Sequence, residues 1–156
     1  AGIVKSVGAN VTKFKVGDKV GVGCLVNSCK KCGNCKKGQE NECLKLVMTY
    51  GQKVKKSEAP NGYTLGGYTN IMVVDEHFAI PIPESYPLEK AGPVMCAGVT
   101  MYDPLKKYNC GPGTRLAIVG LGGLGQMGIK LGKILGAEVT VISRSSAKEK
   151  IATGFG

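Results

Sequence analysis

Leu116-Ala117-Ile118-Val119-Gly120-Leu121-Gly122-Gly123-Leu124-Gly125 is the stretch whose reading decides the fold. Its first four residues are a short apolar run entered through the turn signal Gly111-Pro112-Gly113, the pattern of a buried parallel strand. Gly120, Gly122 and Gly125 follow in G-x-G-x-x-G spacing. A helical pattern comes next: Leu124, Gly128, Leu131 and Leu135 recur at steps of three and four, and Gly136 stands where a helix ends. A second strand is expected from Glu138 to Ile142.

Each glycine of the turn has a mechanical reason. The first permits the tight turn, the second lets backbone approach a pyrophosphate, and the third lets helix and strand close on each other. Unpaired N–H groups and the positive dipole end of the helix then hold phosphate charge. Gly120, Gly122, Gly123, Leu124 and Gly125 are therefore candidate dinucleotide-binding residues. With 24 glycines in 156 residues, the competing reading is a glycine-rich turn without a ligand.

The end of the second strand chooses between dinucleotides. An acidic side chain about twenty residues past the turn would bond the ribose 2′-OH of NAD. Here the place reads Ser143-Arg144-Ser145-Ser146-Ala147-Lys148, with no Asp or Glu. Ser143, Arg144, Ser145 and Lys148 supply hydroxyl donors and positive charge suited to a 2′-phosphate, which favours NADP. The plainer alternative is a polar loop that begins the next helix.

A chain of 156 residues can bury one respectable core or two small ones. It carries no apolar stretch long enough to span a bilayer and no signal-peptide pattern, so no membrane partner is expected. Ala1-Gly2-Ile3-Val4 reads as the middle of a strand, and Gly154-Phe155-Gly156 comes shortly after a helix has begun. A two-stranded parallel piece is not a finished doubly wound sheet, so the expectation is an internal fragment of a larger protein.

The net charge of +10 raises nucleic acid as a partner. The lysines are spread along the chain, however, and the densest group, Lys30, Lys31, Lys36 and Lys37, lies in a segment without an aromatic for base stacking. No nucleic-acid partner is expected. Attraction of a polyanionic cofactor is the better use of the charge. Seven cysteines without a secretion signal point to a reducing, cytoplasmic location, where cysteine clusters bind metal.

Residues 1–23 alternate apolar runs at Ile3-Val4, Val7, Val11 and Phe14–Val20 with turns, and read as β-rich and barrel-like. The lobe 24–44 holds Cys29, Cys32, Cys35 and Cys43 in C-x2-C-x2-C-x7-C spacing. Two-residue gaps let successive thiolates face one centre, and a fourth from a returning loop closes a tetrahedron. Gly33 and Gly38 are expected to let the chain turn around the ion. Four sulfurs leave no open position, so the expectation is a structural zinc, with an iron–sulfur centre or disulfides as alternatives.

Cys24 falls outside the pattern and reads as a small buried residue. Strand signals return from Tyr63 to Ile82, including Gly67–Val74. His77, the one histidine, reads as a surface group in a turn. Leu88 to Leu105 reads as a buried helix loosened by Gly92-Pro93 and Gly98. By itself Cys96 would be assigned to its core.

Taken together, Lys15–Gly23, the cysteine lobe, Gly66-Gly67-Tyr68, Pro93–Thr100, Gly120–Gly125 and Ser143–Ser146 resemble the zinc-containing medium-chain alcohol dehydrogenases, in their NADP-dependent, cinnamyl-alcohol-dehydrogenase-like branch. The resemblance implies an α/β chain: a partial GroES-like β-barrel catalytic domain at 1–95, then the first half of a Rossmann dinucleotide-binding domain at 96–156. It implies that Cys29, Cys32, Cys35 and Cys43 are structural zinc ligands. It also makes Cys96 a catalytic residue, as one of three protein ligands of a catalytic zinc, which reverses the core reading. Thr100 would lie near the nicotinamide, and Met48 falls where plant cinnamyl enzymes carry a pocket-lining Trp. The other two catalytic ligands, a Cys and the His of a Gly-His-Glu motif, would belong upstream of Ala1.

The implied activity is NADP-dependent interconversion of aldehydes and primary alcohols by a homodimeric parent enzyme, the fragment alone being inactive. Alternatives are a zinc-stabilised, non-catalytic binding module or a zinc-free NADP-dependent reductase relative.

Overall fold

Lys19–Val22 (β2) is the spine of the first half of the chain, because among the described residues it alone has a neighbour on each side. It pairs antiparallel with Gly2–Ile3 (β1) and with Ala79–Pro81 (β7), setting Val20, Gly21 and Val22 opposite Pro81, Ile80 and Ala79. A tight turn delivers the chain into β2. The Asp18 N–H donates to the Lys15 carbonyl at 3.2 Å, the Lys15 N–H returns to the Asp18 carboxylate at 2.9 Å, and Gly17 takes φ +96°. Gly21 is a glycine for a packing reason. A Cβ there would lie 2.4 Å from the Met95 sulfur.

The structure, a computed structural model, describes residues 1–57, 59 and 61–155. It divides into two compact units, Ala1–Met95 and Cys96–Gly156. The first adds two antiparallel pairs to the three-stranded sheet: Leu25–Asn27 (β3) with Val47–Met48 (β4), and Tyr50–Lys53 (β5) with Tyr63–Leu65 (β6). Thr49 is buried between the pairs. Its hydroxyl donates to the Gly23 carbonyl at 2.6 Å and its N–H to the Cys24 carbonyl at 2.8 Å, so the polar groups are satisfied.

Two strand expectations fail here. Val7, Val11 and Phe14 join no ladder, because the backbone donors of this stretch go elsewhere: Val11 to the Gly8 carbonyl, and Thr12 and Lys13 to the Glu76 carboxylate. Gly67–Val74 also forms no ladder among the described residues, and Ile71 and Val73 stand exposed. A β-prone run without a hydrogen-bonding neighbour does not become a strand. His77 is exposed, as expected of a surface group, whereas Cys24 is only half-buried.

Leu88–Pro93 (α2) leads through a π-turn, Val94–Gly98, into Val99–Lys107 (α3). The helical expectation for Leu88–Leu105 holds, but the segment is not a buried one. Only Ala91, Gly98 and Leu105 are buried, while Val99 and Tyr102 face solvent. The π-turn, a form concentrated at functional positions, lies immediately after Pro93, which cannot donate a helical hydrogen bond.

The second unit is organised by two parallel strands, Arg115–Val119 (β8) and Glu138–Ile142 (β9), in register from Arg115 opposite Glu138 to Val119 opposite Ile142. Gly123–Ile134 (α4) covers one face of them, and Glu149–Thr153 (α5) follows β9. Ile118, Leu121 and Ile129 form the core. Of the helical pattern Leu124, Gly128, Leu131 and Leu135, Gly128 is buried and Leu124 exposed, and Gly125, Ile129 and Gly132 complete the buried face of α4. A Cβ on Gly128 would lie 2.6 Å from the Met101 methyl, and one on Gly132 would lie 2.6 Å from Leu116. The helix thus packs backbone to side chain. Past Ile134 it closes with Gly136 at φ +90° and the Ala137 N–H on the Gly132 carbonyl, the glycine-ended stop read from sequence.

Among the described residues no helix is long and apolar enough to cross a membrane.

Candidate functional site

The first unit brings four sulfurs together. Cys32 precedes a single helical turn, Gly33–Lys36 (α1), which carries Cys35, and a second short turn, Glu40–Glu42, delivers Cys43 from the returning loop. All four Sγ atoms lie within 4.8 Å of one another, with Cys29 to Cys35 at 3.9 Å and Cys32 to Cys35 at 3.5 Å. Four thiolates around one tetrahedral zinc, each about 2.3 Å from it, stand about 3.8 Å apart. The cluster therefore fits a closed four-sulfur zinc site. Cys35 and Cys43 are buried and Cys29 and Cys32 half-buried, and no disulfide joins any pair.

Backbone donors prepare the sulfurs for negative charge. The Cys32 N–H points at the Cys29 sulfur at 3.3 Å and the Lys45 N–H at the Cys43 sulfur at 3.4 Å. The N–H groups of Lys31 and then Cys32 pull the Cys29 thiol from its ordinary 9.0 down to about 6, because they stabilise the thiolate. Gly38, at φ +72°, turns the chain as expected, but Gly33 does not. It opens α1 with ordinary geometry, and the second left-handed position is Lys30, at φ +57°. No residue-type rule points to a lysine there, so this position was not legible in sequence.

The second unit brings together the glycine turn and the loop after β9. Gly120 takes φ +89°, and its N–H donates to the Ile142 carbonyl at 2.9 Å, binding the turn to the end of β9. A Cβ on Gly125 would lie 2.1 Å from the Gly120 carbonyl oxygen, so the turn closes only over a glycine. Gly122, just ahead of α4, has nothing within 4 Å of where its Cβ would be. Of the two close approaches a glycine permits, Gly125 serves the protein's own backbone and Gly122 faces open space.

A cleft of about 510 Å³ follows, lined by Gly120, Gly122, Ser143, Arg144 and Lys148 among others. The Lys148 ammonium donates to the Leu121 carbonyl at 3.4 Å, bridging the basic loop to the turn. Ser145 lines a neighbouring depression with Ser143 and Lys148. Thr100, Gly123 and Leu124, all exposed, are not among the lining residues of either. Cys96 is exposed on the π-turn, which contradicts the core reading made from its residue type alone. The four-cysteine cluster is the group of potential metal ligands found among the described residues, and Cys96 is not in it.

These features place the chain in a class. Residues 1–84 match the alcohol dehydrogenase GroES-like domain, and the chain belongs to that family. It is 50% identical over 150 residues to the NADP-dependent alcohol dehydrogenase C 1 of Mycolicibacterium smegmatis, across 95% of this chain and 42% of the relative. It is also 50% identical to cinnamyl alcohol dehydrogenase 8 of Arabidopsis thaliana, across 94% of this chain and 40% of that one. Among solved structures, CAD from Helicobacter pylori complexed with NADP(H) superposes with a TM-score of 0.91 at 47% identity, covering 99% of this chain and 44% of that one. The chain thus spans less than half the length of each of these relatives.

Proposed function

We propose that the chain supplies the structural metal lobe and the cofactor turn of an NADP-dependent zinc alcohol dehydrogenase, an oxidoreductase that interconverts small aldehydes and primary alcohols. In this reading residues 1–95 belong to the catalytic domain and 96–156 open a Rossmann domain. The protein works in the reducing cytoplasm, as its cysteine usage suggests, and its parent is a homodimer, as the family resemblance implies.

The observation that carries the reading is the mouth of the β8–β9 pair. A glycine turn is tied to the end of β9, and the loop leaving that strand is basic, without an acid. The first N–H groups of α4, ahead of Gln126, have no partner within the helix and would face the diphosphate. Gly122 leaves that approach open, and Arg144 and Lys148 would hold the 2′-phosphate. When bound, the dinucleotide supplies the hydride chemistry. Gly123 and Leu124 would supply two of those N–H groups and Ser145 a hydroxyl of the basic loop, whereas Thr100 is assigned to the nicotinamide end on the strength of the resemblance alone.

Cys29, Cys32, Cys35 and Cys43 would hold a structural zinc, since four sulfurs leave no position for substrate. Cys96 is proposed as one ligand of a catalytic zinc. One thiolate does not make a metal site, and three protein ligands are the rule for catalytic zinc. The 156-residue chain alone is therefore expected to show no metal-dependent aldehyde reduction above a Cys96→Ala variant.

Fluorescence titration of the chain with NADPH and NADH tests the cofactor assignment. NADPH is expected to bind about tenfold tighter or more, the worth of a charge-assisted contact to the extra phosphate. Equal affinities would overturn it.

A further inference from the structure

Asp75, Glu76 and His77 are three consecutive residues with no part in either site, yet each side chain holds a different segment. The Asp75 carboxylate pairs with the Lys30 ammonium and also accepts the His77 N–H at 3.0 Å. The Glu76 carboxylate accepts the N–H groups of Thr12 at 3.0 Å and Lys13 at 2.8 Å. The Lys13 ammonium returns to the Ala79 carbonyl at 2.8 Å. The His77 Nε2 meets the Glu40 carboxylate at 2.7 Å. Immediately afterwards the chain enters the buried pair Phe78 and Ala79, at the start of β7.

Two of these partners belong to the cysteine lobe and stand on either side of Cys32 and Cys35. Lys30 follows Cys29, and Glu40 lies between Cys35 and Cys43. Between them, residues 31–39 hold Cys35 as the one buried residue and carry no aliphatic or aromatic side chain, so this stretch has no apolar contact of its own by which to grip the sheet. Leu44, the apolar side chain directly after Cys43, is fully exposed. The Glu40 side chain is only 15% exposed, which makes its pair with His77 the better shielded of the two.

We propose that Asp75, Glu76 and His77 form an anchor that positions the four-cysteine lobe against the sheet and thereby slows escape of its metal. This rests on the zinc reading of the lobe. Glu76 fixes the tripeptide to the body of the unit, and Asp75 and His77 reach out from it to either end of the ligand loop. They are positioning residues: none of them touches a sulfur among the contacts seen.

The test is the rate of zinc transfer from the zinc-loaded 156-residue chain to the chromophoric chelator 4-(2-pyridylazo)resorcinol. His77→Phe and Lys30→Met should each speed transfer about two- to fivefold, the range expected when one partly exposed pair is broken. His77→Gln, which can still donate to Glu40, should release at nearly the native rate. Lys15→Met, which breaks the ion pair with Asp18 away from the lobe, should leave the rate unchanged. Cobalt-loaded variants should keep the native thiolate charge-transfer spectrum, because no ligand has been altered.

Native rates in both His77→Phe and Lys30→Met would overturn the anchor, as would equal acceleration by Lys15→Met. Should the single variants fail to fold, the exchanged pair Glu40→His with His77→Glu decides. Recovery of slow release supports the anchor and failure to recover overturns it. A native chain that carries no zinc would instead remove the lobe assignment itself, and the anchor with it.

Discussion

In the proposed function the cysteine lobe and the glycine turn hold charge by opposite means. The lobe positions four side chains: its ligand atoms are sulfurs held by short turns and aimed by backbone N–H groups. The turn works through side chains that are missing, with Gly125 closed on the Gly120 carbonyl and Gly122 facing open space. A site made of side chains fails when a ligand atom is removed. A site made of bare backbone fails when any atom is added.

Cys43→Ser should give the largest effect, since Cys43 is almost fully buried in the sulfur cluster. Binding energies of about 10–16 kcal/mol for structural zinc in small peptides match or exceed the whole stability of a domain, about 5–15 kcal/mol. Zinc content should fall from about one per chain to near zero, and residues 24–44 should become the first site of limited proteolysis. NADPH binding should survive, which would separate the two regions.

The glycine turn should break in two distinguishable ways. Gly125→Ala sets a methyl 2.1 Å from a carbonyl oxygen and should cost about 1–3 kcal/mol or more, read as a lowered thermal midpoint together with lost dinucleotide binding. Gly122→Ala meets nothing in the protein and has φ −97°, which any residue adopts, so its midpoint should stay native while NADPH binding alone weakens. Equal loss of stability in both would blur the distinction between a glycine that closes the turn and one that admits a ligand. Arg144→Ala comes next, with NADPH weakened about tenfold and NADH nearly unaffected.

The smallest effect belongs to the Lys15–Asp18 turn, which lies outside both regions. The Lys15 ammonium and then its N–H hold the Asp18 carboxyl below its ordinary 3.8. Its stabilising effect is complete above that value and is lost as the pH falls through the lowered one. Asp18→Asn should lower the thermal midpoint slightly at pH 7 and flatten its decline below pH 4, leaving zinc content and NADPH binding unchanged.

How much of this was legible follows from where the information lies along the chain. β9 runs from Glu138 to Ile142, and β8 lies within one residue of its expected start, because an apolar run beside a glycine turn is a local signal. The cysteine spacing is local too. The face of α4 was legible only in part: Gly125 was expected to let helix and strand close, but the exposure of Leu124 and the burial of Gly132 follow from an approach to β8 that hydrophobicity does not mark. Gly67–Val74 has strand chemistry, but strand formation depends on a neighbour elsewhere. The same reasoning explains why His77 read as a plain surface group and the roles of Asp75 and Glu76 beside it were not legible. Their partners Lys30, Glu40 and Thr12 lie 37 to 64 residues away.

X-ray absorption at the zinc edge of the purified chain tests the central claim most directly. The account predicts about one zinc per chain with four sulfur neighbours at about 2.3 Å. Nitrogen or oxygen in the first coordination sphere, or a metal content well below one, would contradict it.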